Sequence, residues 1–133
     1  MPAGYDLTEH GTFTYRFLDH YFTEPDRSVV FIRVDAALAG FVMSRLLDDG
    51  RREMSEFFVL RRHRRRGVGR TAAQLTFARF PAPWEVFCMD TNVEGQAFWP
   101  AVIEAAAGEE VAGERVQSPV ARWAGVRFRF DAR

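Results

Sequence analysis

Between Arg61 and Arg70 the chain reads Arg61-Arg62-His63-Arg64-Arg65-Arg66-Gly67-Val68-Gly69-Arg70, so six of ten residues are arginine. An apolar run, Phe57-Phe58-Val59-Leu60, comes just before and reads as the end of a buried strand. The following Thr71-Ala72-Ala73-Gln74-Leu75-Thr76-Phe77-Ala78-Arg79-Phe80 reads as a helix. A strand, a basic glycine-bearing loop and a helix N-terminus together make an anion site. Gly67 and Gly69 let the backbone turn tightly and come close to a ligand. The first N–H groups of the helix have no partner within it, and the macrodipole favours negative charge there. The guanidinium groups add charge-assisted contacts to phosphate. On composition alone, a solvated basic loop closed by glycine is an equally good reading.

The spacing adds to this. Arg64-x-x-Gly67-x-Gly69 resembles the pyrophosphate-binding loop of the GNAT superfamily of acyl-CoA N-acyltransferases. The order around it matches too, with Glu56-Phe57-Phe58-Val59-Leu60 before the loop and Asn92, then Ala97-Phe98-Trp99, after the next strand. The resemblance covers residues 28–130. No Gly-Lys-Ser/Thr follows, so this is not a Walker loop. A dinucleotide fingerprint would need a third glycine and a downstream acid.

The resemblance implies an α/β domain with a mixed sheet, three layers (α-β-α) and a central βαβ unit. It implies acetyl-CoA as cosubstrate, no metal, and acetyl transfer to a primary amine of a small molecule or protein. The backbone amides of Arg65, Arg66, Gly67, Val68, Gly69 and Arg70, together with Arg64, would hold the pyrophosphate. The backbone of Phe57, Phe58 and Val59 would pair with pantetheine. The two parallel strands would splay, freeing an N–H for the oxyanion; a fully paired sheet is the alternative. Asn92 falls where the family contacts the pantetheine arm, and it serves equally well as a helix N-cap. Gln96 suits either job.

Glu56 is the nearest match to the carboxylate that many family members use to take the amine proton. Its competing role is a salt bridge or an exposed carboxylate. A shift of one position along a strand reverses its face, and in one subset of the family the base would fall on Ser55, which cannot serve. His63, with an ordinary pKa of about 6.5, lies in the loop as an auxiliary phosphate contact or a solvent-facing residue. The family often places a Tyr acid seven residues after the helix-starting Asn. Trp99 stands there, and an indole N–H donates hydrogen bonds without being a practical acid. Core packing is its competing role. A silent acyl-CoA-binding or dimerisation module on the same fold is the rival function.

These residues need a scaffold. Phe13, Phe17 and Tyr21 mark one face of a helix over 10–22, which Pro25 ends. Strands are expected over 28–34 and 38–46 around a turn at Asp35-Ala36. After Asp48-Asp49-Gly50, a further strand covers 53–60. The helix over 68–80, with Val68, Ala72 and Leu75 inward, and a strand over 84–90 complete a right-handed βαβ unit. A helix over 94–107 would bury Ala97, Phe98, Ala101, Val102 and Ala105 and stop at Gly108. A last hairpin, 109–117 and 120–130, would turn Val126, Phe128 and Phe130 inward and Arg127 and Arg129 outward. Family domains usually begin with one more strand and helix, so the N-terminal part looks abbreviated. Strand 28–34 is then an open edge, and a homodimer is expected.

Composition bounds the rest. A chain of 133 residues, 47% apolar with 13 Phe, is expected to be a single domain with a substantial core. Formal net charge is zero and every basic residue is Arg. With the charge confined to one loop, nucleic acid is disfavoured as a partner. The lone Cys88 sits in an apolar strand and reads as a buried, inert thiol. With no leader and no membrane span legible, the reducing cytoplasm fits best.

Overall fold

The computed structural model describes residues 26–64, 66–120 and 122–132. The helix read over 10–22, with Phe13, Phe17 and Tyr21, lies outside the described residues, as does Arg65. Among the described residues six strands form one sheet: β1 (Arg27–Val34), β2 (Ala37–Leu46), β3 (Arg52–Val59), β4 (Pro83–Met89), β5 (Glu114–Gln117) and β6 (Ala124–Asp131). Their order is β1-β2-β3-β4-β6-β5. Helix α1 (Val68–Arg79) follows β3, and α2 (Val93–Ala107) follows β4. Of these strands only β3 and β4 run parallel, with α1 as their crossover; the other pairs are antiparallel. This is the expected mixed sheet with a central βαβ unit.

Both described helices lie over one face of the sheet. There, Trp84, Val86 and Cys88 of β4 and Phe128 and Phe130 of β6 pack under Ala73 and Phe77 of α1 and under Trp99, Val102 and Ile103 of α2. Phe77 meets Trp84 and Phe130 edge-on, with ring centroids 5.0 and 5.3 Å apart. A second cluster, Phe41, Met43 and Phe58, is buried on the opposite face.

Two turns set the antiparallel half. Asp35 and Ala36 both have positive φ, 50° and 68°. That pair of left-handed residues matches the right-handed twist of a tight hairpin, though Asn-Gly would do it with less strain. Gly50, at φ 88°, closes the turn between β2 and β3.

The structure moves three expectations. Leu75 of α1 is exposed and the buried residues are Ala72, Ala73, Thr76 and Phe77, a face turned by one position so that the large Phe77 ring reaches the core. In α2 the inward residues are Gly95, Trp99, Val102, Ile103 and Ala107, whereas Ala97, Ala101 and Ala105 are exposed. Alanine gains little area on burial, so Trp99 and Ile103 set the orientation. The last hairpin is shorter than read. Strand β5 begins at Glu114 and β6 at Ala124, and just before β5 the backbone of Gly113 passes so close to β6 that a Cβ there would lie 2.2 Å from Val126 Cγ1.

Candidate functional site

The two parallel strands barely pair. Their shared register has two steps, Arg52↔Trp84 and Glu53↔Glu85. Beyond these steps the described strands diverge, each held on its far side. β3 stays registered with β2 as far as Val59, and β4 with β6 as far as Met89. A wedge-shaped gap therefore opens in mid-sheet, widening toward the loop after β3.

Alternation along β3 decides what faces the gap. Leu60 N donates to Ala39 O at 2.6 Å, so this residue turns its amide toward β2. Phe58 does the same, since its carbonyl lies against Gly40 of β2. Phe57 and Val59, one residue out of phase, turn their backbone groups the other way, into the gap. Of the three residues expected along pantetheine, these two are thus presented. Arg64 Nε donates to Val59 O at 2.8 Å, which pins the loop to the end of β3.

Glu56 depends on a bulge. Met43 faces Glu56 and Ser44 faces Met54, leaving Ser55 as an extra residue. The bulge reverses the strand's parity. Met54 and Phe57 point to the helix-covered face, while Phe58, and with it Glu56, point to the opposite one. Glu56 is half-buried beside the gap. No glycine or proline in 52–59 announced the bulge, so the sequence left its face open.

The loop ends in the anion geometry. After a single 3₁₀ turn, Arg61–His63, the chain reaches Gly67, whose φ of 74° and ψ of 0° suit glycine and little else. Gly67 caps α1 with no side-chain hydrogen bond and no acid in the first turn. Thr71 N bonds Gly67 O at 3.1 Å, the first bond of the helix. The N–H groups of Val68, Gly69 and Arg70 come before that bond and point out of the helix end. Arg66 and Arg70 are exposed beside them. Arg64 is turned back: besides Val59 O it stands 3.9 Å from Glu94 and lies over the Phe58 ring at 5.7 Å. Arg62 Nε donates to His63 Nε2 at 3.3 Å.

The floor of the gap is aromatic. Trp99 is buried and stands edge-on to Phe57 at 5.2 Å and to Phe98 at 4.9 Å. Phe98 also touches the helix start, since a Cβ on Gly69 would lie 3.3 Å from its Cε1. Asn92 caps α2 and accepts from Gly95 N at 2.9 Å. Gln96 Nε2 donates to Asp90 O at 2.7 Å, closing the same turn. Cys88 is buried beneath it, and desolvation, then the Asp90 charge, push its thiol pKa up. Asp90 holds Arg115 of β5 through two hydrogen bonds of 2.7 and 2.8 Å, which draw its carboxyl below the usual range.

A groove of about 710 Å³ lies between β1 and α1, lined by Val30, Ile32, Ala72 and Leu75 and, at the start of the helix, by Arg66, Gly67 and Val68 of the loop. Among the described residues its lining includes Arg33, Arg66 and Arg79. Among the described residues, no three His, Cys, Asp or Glu side chains gather to hold a metal, and no helix is long and apolar enough to cross a membrane.

The acetyltransferase (GNAT) family model matches residues 3–101. Among curated proteins no match is found. Solved structures share the fold. An acetyltransferase from Thermus thermophilus aligns with a TM-score of 0.65 and 15% identity, over 85% of this chain and 70% of that one. A Bacillus subtilis acetyltransferase in complex with CoA gives 0.64 and 11%, over 88% and 83%. A GNAT family acetyltransferase from Elizabethkingia anophelis with acetyl-CoA bound gives 0.61 and 9%, over 86% and 81%.

Proposed function

The chain belongs to the acetyltransferase (GNAT) family, and from that premise we propose that it transfers an acetyl group from acetyl-CoA to a primary amine of a small molecule or protein. The observation that carries the proposal is the gap between β3 and β4, which opens directly onto the uncapped N-terminus of α1. A long ligand with an anionic middle and an amide-bearing arm fits that arrangement. The N–H groups of Val68, Gly69 and Arg70, with Arg66 and Arg70, hold the pyrophosphate. The Phe57 and Val59 backbone groups line the arm as an adjacent strand would.

The reaction then uses few side chains. An aliphatic ammonium has a pKa of about 10.4 and must lose its proton before it can attack. Glu56, on the face away from the helices, takes that proton directly or through water. The amine nitrogen bonds to the thioester carbonyl carbon, and the Phe57 N–H holds the oxygen as it gains charge. The adduct nitrogen sheds its second proton to water, the C–S bond breaks, the carbonyl re-forms, and the thiolate leaves. Trp99 stands at the usual acid position and its indole is not a practical acid, so the thiolate takes its proton from water. Trp99, packed against Phe57, serves as the floor under the thioester end.

The burial of Trp99 at the usual acid position favours a second reading, an acyl-CoA-binding module without turnover. The proposal extends to a single domain with a homodimer formed through the outer edge of β1, in the cytoplasm, where a lone reduced cysteine persists. Thiol release over an amine panel separates transferase from silent module. Glu56→Gln should lower turnover by roughly 10²–10⁴-fold and leave acetyl-CoA affinity unchanged. Full turnover in that variant would remove Glu56 from the mechanism, and absence of thiol release with every amine would favour the silent module.

A further inference from the structure

The wall of the gap across from Glu56 is apolar and aromatic. Along β4, Phe87 and Met89 alternate with the buried Val86 and Cys88, so both point to the face that carries Glu56. Carrying the β3/β4 register upward from Glu53↔Glu85 puts Phe87 at about the level of Glu56. Gly125, opposite Met89 on β6, leaves room for this ring: a Cβ there would lie 2.7 Å from Phe87 Cζ. Trp123, just before β6, meets Phe87 edge-on with centroids 5.2 Å apart. Trp123 is nevertheless 37% exposed and Met89 43%. Three large apolar side chains thus form a continuous, partly bare surface beside the reacting end of the gap.

The neighbouring charges on β4 and β6 are matched. Arg129 pairs with Glu85 at 2.8 Å, and Arg127 pairs with Glu114. The β4–β6 register sets both arginines on the same face as Phe87. Among the described residues, the wall therefore offers broad apolar area and no spare carboxylate for a second ammonium.

We propose that the acceptor is a primary amine borne on an aromatic or similarly broad apolar body, with Phe87 and Trp123 as the residues that determine this specificity. The inference rests on the acetyl transfer proposed above. Glu56 meets the ammonium on one side of the gap, and the two rings hold the body on the other. A polyamine would bring further charges to a wall that cannot pair them, and an amino sugar would leave its hydroxyls against the rings without partners.

The test uses the full chain, saturating acetyl-CoA and thiol release with phenethylamine, spermidine and glucosamine. Phenethylamine should show the highest kcat/KM, by tenfold or more. Trp123→Ala should raise its KM about tenfold, the size of one lost aromatic pair, with kcat and acetyl-CoA affinity little changed, and Trp123→Phe should restore most of the loss. Met89→Ser, outside the ring pair, removes apolar area from the same wall without adding charge and should raise KM likewise if Trp123→Ala does not fold. Preference for spermidine or glucosamine, or an unchanged KM in folded variants, overturns the inference while leaving acetyl transfer standing. If acetyl-CoA binds and no amine is acetylated, calorimetry of phenethylamine with the CoA complex decides, and absence of binding overturns it. A chain that does not bind acetyl-CoA removes both the transfer reading and this inference.

Discussion

Gly67 allows the anion site to be probed by charge alone. Its Cβ position is open, with nothing within 4 Å, but its φ of 74° is left-handed. Asn and Asp tolerate that region better than other side chains and have nearly the same shape. Gly67→Asn should therefore cost about 1 kcal/mol of stability. Gly67→Asp should cost somewhat less, because a carboxylate at a helix N-terminus recovers about 0.3–1 kcal/mol. Binding should reverse that order. A carboxylate about 5 Å from a phosphate charge opposes it by roughly 3 kcal/mol at an effective dielectric constant of 20, and solvent at this exposed residue reduces the effect. A difference of about 2 kcal/mol, close to 30-fold in affinity, is expected between the Asp and Asn variants. Titration calorimetry with coenzyme A, on variants whose melting curves show them folded, reads it directly. Equal affinities for the two variants would show that the pyrophosphate lies away from Gly67.

Other expectations follow from the same geometry. Trp99→Phe keeps a ring on Phe57 and removes the indole N–H, so turnover should fall by less than tenfold, about 1.4 kcal/mol in barrier. Complete loss of turnover in a folded variant would make the indole N–H a direct donor in the reaction. Asp90 has a depressed carboxyl pKa in the fold, through its hydrogen bonds to Arg115. Its stabilisation is therefore present above the unfolded value of about 3.9 and is lost as pH falls through the lower folded value. Melting temperatures of wild type and Asp90→Asn should differ at neutral pH and converge in acid; a difference that widens in acid would contradict this. Cys88, buried with a raised thiol pKa, should resist a thiol reagent at pH 8 until the chain unfolds. Rapid labelling of the native protein would contradict that burial.

The βαβ core was legible because its signals are local. Apolar runs, Gly67 before α1 and Pro81 after it bound the elements to within a residue or two, and Asn92 and Gly108 frame α2. What escaped depends on partners distant in sequence. The inward face was misjudged at Leu75 in α1 and at the alanines in α2, because Phe77 and Trp99 find their places only against β4 and β3. The face of Glu56 turns on the bulge at Ser55, which arises in pairing with β2 and leaves no mark in the residues themselves. Arg64, read as a phosphate ligand, forms a contact with Val59 O that no spacing rule encodes.

Amide hydrogen exchange with and without acetyl-CoA tests the central claim, that the gap between β3 and β4 is the cofactor slot. On binding, exchange should slow at Phe57 and Val59, whose amides turn into the gap, and at Val68, Gly69 and Arg70 at the start of α1. Protection confined to β1 and to Ala72 and Leu75 of α1, or none at Phe57 and Val59 while calorimetry shows binding, would contradict it.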